Sequence, residues 1–336
     1  MAMTKVSLPL AVRELNGPPL AATLDAEEVS RRLDLLAISC SGIGGLKEVR
    51  TSVIKRHSGS HASFEISLAT PAGLRSLIGK VYSRDHSGVF KAMETIWLAG
   101  LHGEREFSIP RPIAYLRSLD ILLQEKIEGV MAADAFVNKD ARVRSAIAER
   151  CALWLAQFQD LAPPQGRAMT VQRVLELSDH RLLGIVEAGA PCSKKARELF
   201  EHLLLASASL EETRLCASHG DFIHHQVMIS GERLVVFDWD LYAAADPLYD
   251  VARLYVSLER LALREFGTIH ALDGAAHTFL NTYLAASRAK VAKNLDFYKA
   301  LVYLQAAKFD VTTSRAPGSL ERADIMLDLG LRSLEM

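Results

Sequence analysis

The sequence predicts an α+β fold in two parts, a small β-rich part followed by a larger, mainly helical one. Three observations lead there. Phe64, Ile66 and Leu68 alternate with Ser63, Glu65 and Ser67, the period of a half-buried strand. Val143, Ile147, Trp154, Leu155 and Phe158 instead follow helical spacing. A length of 336 residues is enough for two lobes with a sizeable core.

Residues 1–46 read as an arm followed by LDAEEVSRRLDLL, where Asp25 and Glu28 make a capping-box-like start and Val29, Leu33 and Leu36 share one helical face. Residues 47–128 form the β-rich part. After the alternating strand, Pro71-Ala72-Gly73 supplies a turn and LRSLIGKVY a further strand. A helix is predicted from Gly88 to Leu101, with Phe90, Met93, Trp97 and Leu101 as its apolar stripe. Short strands follow at Ile113–Leu116 and Ile121–Glu125. Residues 129–336 are mostly helical, broken by one hairpin.

Composition narrows the function classes. Hydrophobic residues make up 49% and charged residues 24%, an ordinary balance for a soluble domain. The formal net charge is −1 with no block of like charge, which disfavours a nucleic-acid partner. Cys40, Cys151, Cys192 and Cys216 show no CxxC spacing, so neither a zinc site nor a disulfide framework is expected, and a reducing cytoplasm fits best. The apolar run between Lys5 and Arg13 is too short for a signal peptide, and no stretch is long enough to span a membrane. Both a monomer and a homodimer remain open.

The hairpin carries the chemistry. HGDFIHHQVMISGERLVVFDWDLYAAADPLYD, from His219 to Asp250, sets Asp221, Asp238 and Asp240 around the apolar runs Val227–Ile229 and Leu234–Phe237. Paired as a hairpin, the runs bring Asp221 and Asp238 from the ends of different strands into one cleft. One carboxylate can then meet a substrate hydroxyl while the other holds a divalent cation.

A second set of residues lies in the β-rich part. Lys80 is mid-strand, with Ile78 and Tyr82 on its side of the sheet, and Glu94 falls inside the apolar stripe of the following helix. A carboxylate facing a core costs on the order of several kcal/mol unless paired, so Lys80 is its expected partner. That pairing would fix the ammonium for the phosphates of a nucleotide. Gly59, in KRHSGSHAS, is the candidate for a turn whose backbone N–H groups cover phosphate. One glycine between serines is more often a plain hairpin turn. No GxxxxGK[ST] occurs, which excludes a Walker-type site.

Lys80, Glu94, LLQEKIEG (Leu122 to Gly129), HGDFIHHQ, FDWD and ADPLYD stand in the order found in the aminoglycoside phosphotransferase/choline kinase-like superfamily, which this chain resembles over roughly residues 48–330. HGD-x4-N/Q followed by an apolar run and D-x-D/E is its specific signature. The resemblance implies a bilobal protein-kinase-like fold and an ATP- (or GTP-) and Mg²⁺-dependent kinase acting on the hydroxyl of a small molecule. It makes Asp221 the catalytic base and Gln226 with Asp238 the metal pair. Lys80 becomes the phosphate-binding lysine oriented by Glu94, and the backbone from Glu125 to Ile127 the adenine contact. Asp246 and Asp250 are similar to late aspartates that brace the catalytic loop and cap a helix.

The chain departs from the pattern at Gln226, where Asn is usual, at Ala245, where Gly is usual, and in WLAQFQDLAP, which lacks a histidine. Gln226 is similar to the maltokinase-like sugar-kinase branches, and its carbonyl oxygen is still a hard ligand suited to Mg²⁺. His219 is expected to brace the loop, His224 and His225 to line the acceptor side or face solvent, and Trp239 to pack. Between 261 and 300, Glu265, Asp273 and Asp296 are outnumbered by Arg264, Arg288, Lys290, Lys293 and Lys299, which disfavours a polycationic acceptor. A sugar or amino sugar is the leading acceptor. Aminoglycoside-type, choline- or homoserine-type acceptors are alternatives, as is a catalytically silent nucleotide-binding protein of the same fold.

Overall fold

The computed structural model describes residues 48–57, 61–70, 73–103, 105–117, 119–287, 294–314 and 316–335. They fall into two compact units. The first runs to Leu98 and adds His102–Glu104 and Ser108–Glu128; the second holds Ala99–Leu101, Arg105–Phe107 and Gly129–Met336. The helix predicted within residues 1–46 lies outside the described residues, as does the turn containing Gly59.

The first unit is built on an antiparallel sheet of β1 (Glu48–His57), β2 (His61–Thr70), β3 (Gly73–Tyr82), β4 (Pro112–Leu116) and β5 (Ile121–Glu125), in spatial order β1-β2-β3-β5-β4. In β2 the predicted alternation holds: Ala62, Phe64 and Ile66 are buried, while Ser63, Glu65 and Ser67 are half-buried. Strand β3 is central, and its Lys80 lies opposite Ser63 on one side and Leu122 on the other. Gly79 is required here by close approach. A Cβ at this position would lie 2.4 Å from the ring of Phe64, its register partner on β2. After β3, Tyr82 stacks on His86 at 4.3 Å between centroids. The His86 N–H then donates to the Tyr115 hydroxyl (2.8 Å), which donates to Asp120 (3.0 Å). This chain ties the start of α1 (Ser87–Leu98) to the β4–β5 turn.

Helix α1 buries a different face from the predicted one. Ala92, Met93 and Ile96 are buried, whereas Phe90 and Trp97 are half-buried and Glu94 is exposed. Both stripes share Met93 and both fit a period of 3.6, so spacing alone could not separate them. The sheet accepts the smaller Ala92 and the branched Ile96, and the argument from a core-facing Glu94 falls with the stripe.

The second unit contains α2 (Ala132–Phe136), α3 (Ala141–Leu161), α4 (Val171–Glu187), α5 (Ser193–Ser207), α6 (Pro247–Phe266), α7 (Asp273–Ala286), α8 (Leu295–Thr312) and α9 (Ser319–Leu334). It also contains the short strands β6 (Cys216–Ser218), β7 (Val227–Ser230), β8 (Arg233–Val236) and β9 (Ala243–Ala245). Helix α3 begins at an Asp140 cap that accepts the Arg142 N–H at 2.8 Å, and it buries Ile147, Cys151, Trp154, Leu155 and Phe158. Val143, assigned to the same stripe from spacing, is instead 39% exposed in the first turn. Helix α6 starts at an Asp246 cap with Pro247 behind it, and it ends at Gly267 in the left-handed region, φ 73°. It is buried on nearly all sides, including the charged Asp250 and Arg253.

The predicted hairpin forms. Val227 pairs with Val236 and Ser230 with Arg233, leaving the two-residue turn Gly231-Glu232 with Gly231 at φ 57°. Beneath it Trp154 stacks on Phe158 (5.1 Å) and Phe222 (5.4 Å) and meets Trp239 (6.1 Å). Trp239 is thus the packing residue expected from its sequence context. Among the described residues, Cys151, Cys192 and Cys216 are free, and no helix is long and apolar enough to cross a membrane.

Substituting Gly79→Ala should destabilise the first unit by about 1–3 kcal/mol, because the methyl group overlaps an aromatic ring locked in the sheet. Denaturant unfolding of the variant against wild type measures this, and an unchanged midpoint would contradict the packing of Phe64 over Gly79.

Candidate active site

The loop after β6 is held by one buried carboxylate. Asp250, in the first turn of α6, accepts the His219 N–H through Oδ2 (2.7 Å) and the Gly220 N–H through Oδ1 (3.0 Å). Gly220 sits at φ 79°, and a Cβ there would lie 2.4 Å from the Leu241 carbonyl oxygen, so only glycine fits. The imidazole of His219 closes the arrangement. Its Nδ1 accepts the Asp221 N–H at 3.2 Å, so Nε2 carries the proton and donates to the Phe237 carbonyl at 3.0 Å. Burial holds the ring neutral, its pKa lowered to about 4. Burial pushes Asp250 up to about 6, against the opposing pull of the N–H groups it accepts. Asp246 is braced likewise, accepting from Leu248 N–H (2.8 Å) and Asn294 (3.3 Å). Bracing and capping are the parts expected of these two aspartates.

This scaffold brings Asp221, Gln226 and Asp238 together. The Phe237 N–H donates to the Gln226 carbonyl at 3.0 Å, extending the β7–β8 pairing by one step and setting Asp238 beside Gln226. The Gln226 amide nitrogen then donates to Asp238 Oδ2 (3.2 Å) and Asp221 Oδ2 (3.4 Å). Asp238 occupies the left-handed region at φ 73°, a conformation that costs a non-glycine residue on the order of 1 kcal/mol. Two carboxylate oxygens thus converge on one donor, in a site whose ligating atoms are hard oxygens. Rotation of the Gln226 amide about its terminal bond presents Oε1 in place of Nε2. The set fits Mg²⁺, which takes one or two carboxylates and completes its shell with phosphate oxygens and water.

Arg253 was not among the residues singled out from the sequence. Its guanidinium forms an ion pair with Asp221 Oδ1, the side chains being 7% and 24% exposed. Both oxygens of Asp221 are therefore engaged, one by Arg253 and the other by Gln226. Burial, then the nearby charge of Arg181, lowers the pKa of Arg253 to about 9, still above neutrality. Arg181 is on α4 and Arg253 on α6, and neither was singled out from the sequence.

The histidines divide. His225 is exposed. His224 is buried, against the expectation that it lines the acceptor side or faces solvent, and its Nδ1 lies 3.1 Å from Ser257 Oγ. That hydroxyl already donates to the Leu254 carbonyl at 2.8 Å, so His224 Nδ1 is the donor. Burial holds its pKa well below the usual histidine value. Among the described residues no group of three or more His, Cys, Asp or Glu side chains is placed to hold a metal ion.

In the first unit, Lys80 is 8% exposed and its ammonium lies 5.5 Å from the Tyr82 ring centroid, so the predicted shared side of the strand holds. Glu94 is exposed on α1. Glu125 ends β5, with its N–H on the Arg111 carbonyl (2.9 Å) and its carboxylate accepting the Arg111 N–H (3.0 Å). Ile127 is half-buried in the non-strand segment that follows, beside Lys126, which pairs with Glu65 at 2.9 Å.

The family model described as "Phosphotransferase enzyme family" matches residues 54–293. No curated protein matches the chain. Among solved structures, a choline/ethanolamine kinase family protein from Mesorhizobium loti is similar at 14% identity and TM-score 0.57, covering 92% of this chain and 99% of that one. A glucosamine kinase is similar at 14% identity and TM-score 0.60, covering 89% and 84%. An amicoumacin kinase is similar at 10% identity and TM-score 0.61, covering 94% of each chain.

The pH dependence of stability follows from the loop. His219 has a folded pKa below its unfolded value, so its contribution is present above about pH 6.5 and is lost as pH falls toward about 4. Asp250 acts in the opposite sense, its contribution being present at acid pH and lost as pH rises through about 6. His219→Asn should lower stability at pH 7, and the gap to wild type should narrow as pH falls from 6.5 to 4. Denaturant unfolding across that range measures the gap, and a constant difference would contradict a neutral, buried His219.

Proposed function

The chain belongs to the phosphotransferase enzyme family, and from that membership we propose that it transfers the γ-phosphoryl group of ATP, or GTP, to a hydroxyl of a small molecule with Mg²⁺. The observation that carries this reading is the convergence of Asp221 and Asp238 on the Gln226 amide. The two carboxylates to which we assign the roles of base and metal ligand share that amide on the loop and the hairpin. Nucleotide and divalent cation are supported by similar folds: the amicoumacin kinase structure contains AMP-PNP and Ca²⁺, and an aminoglycoside phosphotransferase structure contains ADP and hygromycin B.

In this reading Asp221 accepts the hydrogen bond of the acceptor hydroxyl and aligns it. As the new oxygen–phosphorus bond forms and the bond to the ADP oxygen breaks, the hydroxyl proton passes to the Asp221 carboxylate. Arg253 and Gln226 hold the carboxylate in place. A loose phosphoryl-transfer transition state makes little demand on base strength and much on position. Gln226 and Asp238 would hold Mg²⁺, which when bound would neutralise phosphate charge. Lys80 holds the nucleotide phosphates. The Glu125 carbonyl and the Ile127 N–H receive the adenine edge, since the Glu125 N–H is already spent on Arg111. Glu94 is assigned to orient Lys80 and Gly59 to cover the phosphates, from sequence order alone. The acceptor is a sugar-type polyol rather than a polycation. We place the protein in the cytoplasm, where its free thiols persist.

Asp221→Asn should lower kcat by about 10²- to 10⁴-fold while Mg·ATP binding is retained. Asp238→Ala should abolish metal-dependent turnover. ADP release over a panel of sugars, amino sugars, aminoglycosides, choline and homoserine measures both. Full turnover by Asp221→Asn would remove the assigned role, and tight Mg·ATP binding with no acceptor-dependent release would favour a silent nucleotide-binding protein.

A further inference from the structure

Helix α6 holds the catalytic loop beyond its first turn. Asp250 takes the His219 and Gly220 N–H groups, and Arg253 pairs with Asp221. Two helical turns past Asp250, on the same face, Ser257 meets His224. His224 opens the single 3₁₀ turn His224–Gln226, which the Gln226 N–H closes on the Ile223 carbonyl at 2.9 Å. The turn packs against both α6 and α2. From its end the Gln226 carbonyl takes the Phe237 N–H at 3.0 Å, and the Gln226 amide reaches Asp221 and Asp238. One tight turn of backbone therefore separates the His224 ring from the amide on which both carboxylates converge.

Stability alone does not account for a histidine here. Its Nδ1 donates to Ser257 Oγ, so Nε2 is left as an acceptor, buried and without a hydrogen-bond partner among the described residues. A buried acceptor with no donor costs at least as much as one ordinary hydrogen bond gains. An aliphatic side chain would fill the space without that cost, but it would lack the Nδ1 donor. We propose that His224 and Ser257 are positioning residues for Gln226. Their hydrogen bond sets the 3₁₀ turn against α6, and with it the place of the Gln226 side chain relative to Asp221 and Asp238. Asp250 and Arg253 fix the base, and Ser257 fixes the metal ligand from the same helix face. The pitch of α6 thereby sets the spacing between them. Gln226 has one more rotatable bond than an asparagine, so more positions are open to it and its backbone must be held the more firmly. This inference rests on the assignment of Gln226 as a Mg²⁺ ligand in the phosphotransfer reading.

The test follows ATP binding by calorimetry over a range of Mg²⁺ concentrations, apart from turnover, in wild type, His224→Leu, Ser257→Ala and His224→Asn. His224→Leu and Ser257→Ala should raise the half-saturating Mg²⁺ about tenfold, the order of effect when support behind a metal ligand is removed. ATP affinity without Mg²⁺ should be unchanged, and kcat should recover at saturating Mg²⁺ with the acceptor KM unaltered. Asparagine places a donor near the position of Nδ1, so His224→Asn should recover most of the wild-type response. The two residues act through one hydrogen bond, so adding Ser257→Ala to His224→Leu should cost little more. Denaturant unfolding should find His224→Leu no less stable than wild type. Unchanged half-saturating Mg²⁺ in His224→Leu and Ser257→Ala would overturn the inference, and with a loss of stability it would mark His224 as a packing residue only. An additive double variant, or a His224→Asn no better than His224→Leu, would overturn it as well. Wild-type ATP binding indifferent to Mg²⁺ would overturn it together with the metal role of Gln226. Absence of turnover with every acceptor would remove the phosphotransfer reading, while the shift in Mg²⁺ dependence would still uphold the positioning role.

Discussion

The buried carboxylate of Asp250 is the constraint from which the second unit's chemistry follows. Two successive backbone N–H groups, of His219 and Gly220, end on its two oxygens, so the loop cannot shift without stranding a charge in the core. The positive φ of Gly220 turns the chain, and the neutral His219 ring links Asp221 to Phe237, the residue before Asp238. Beneath them the stack of Trp154, Phe158, Phe222 and Trp239 gives the loop a rigid apolar floor. Such a floor suits phosphoryl transfer, where catalysis is mostly placement and charge neutralisation.

Charge is distributed in this unit by commitment rather than by number. A net charge of −1 conceals carboxylates spent on backbone N–H groups and arginines spent on carboxylates. Around Asp221, Gln226 engages one carboxylate oxygen and Arg253 the other, while Asp238 shares the Gln226 amide.

Much of the fold was legible because its signals are local. Alternation in β2, the two-residue turn of the β7–β8 hairpin and the Asp-Pro start of α6 each depend on a few adjacent residues and on period or turn chemistry. The order of Lys80, HGD, Gln226 and FDWD was legible for the same reason. What failed were individual positions on helix faces, although the inward face of α3 was placed correctly from Ile147 to Phe158. The stripe on α1 was placed on Phe90 and Trp97 instead of Ala92 and Ile96, and Val143 was counted into a core it does not reach. His224, next to the exposed His225 in sequence, is buried because Ser257 on α6 receives it.

The sequence by itself determined the element order, the hairpin register and the identity of the carboxylates that meet, because the Gln226 to Asp238 span is too short to place them otherwise. Only the tertiary structure decided that Asp221 is shared between Gln226 and Arg253. Those contacts join the hairpin, the catalytic loop and α6. Electrostatics acts through space, and a lone arginine in a helix has no sequence pattern that says what it will face.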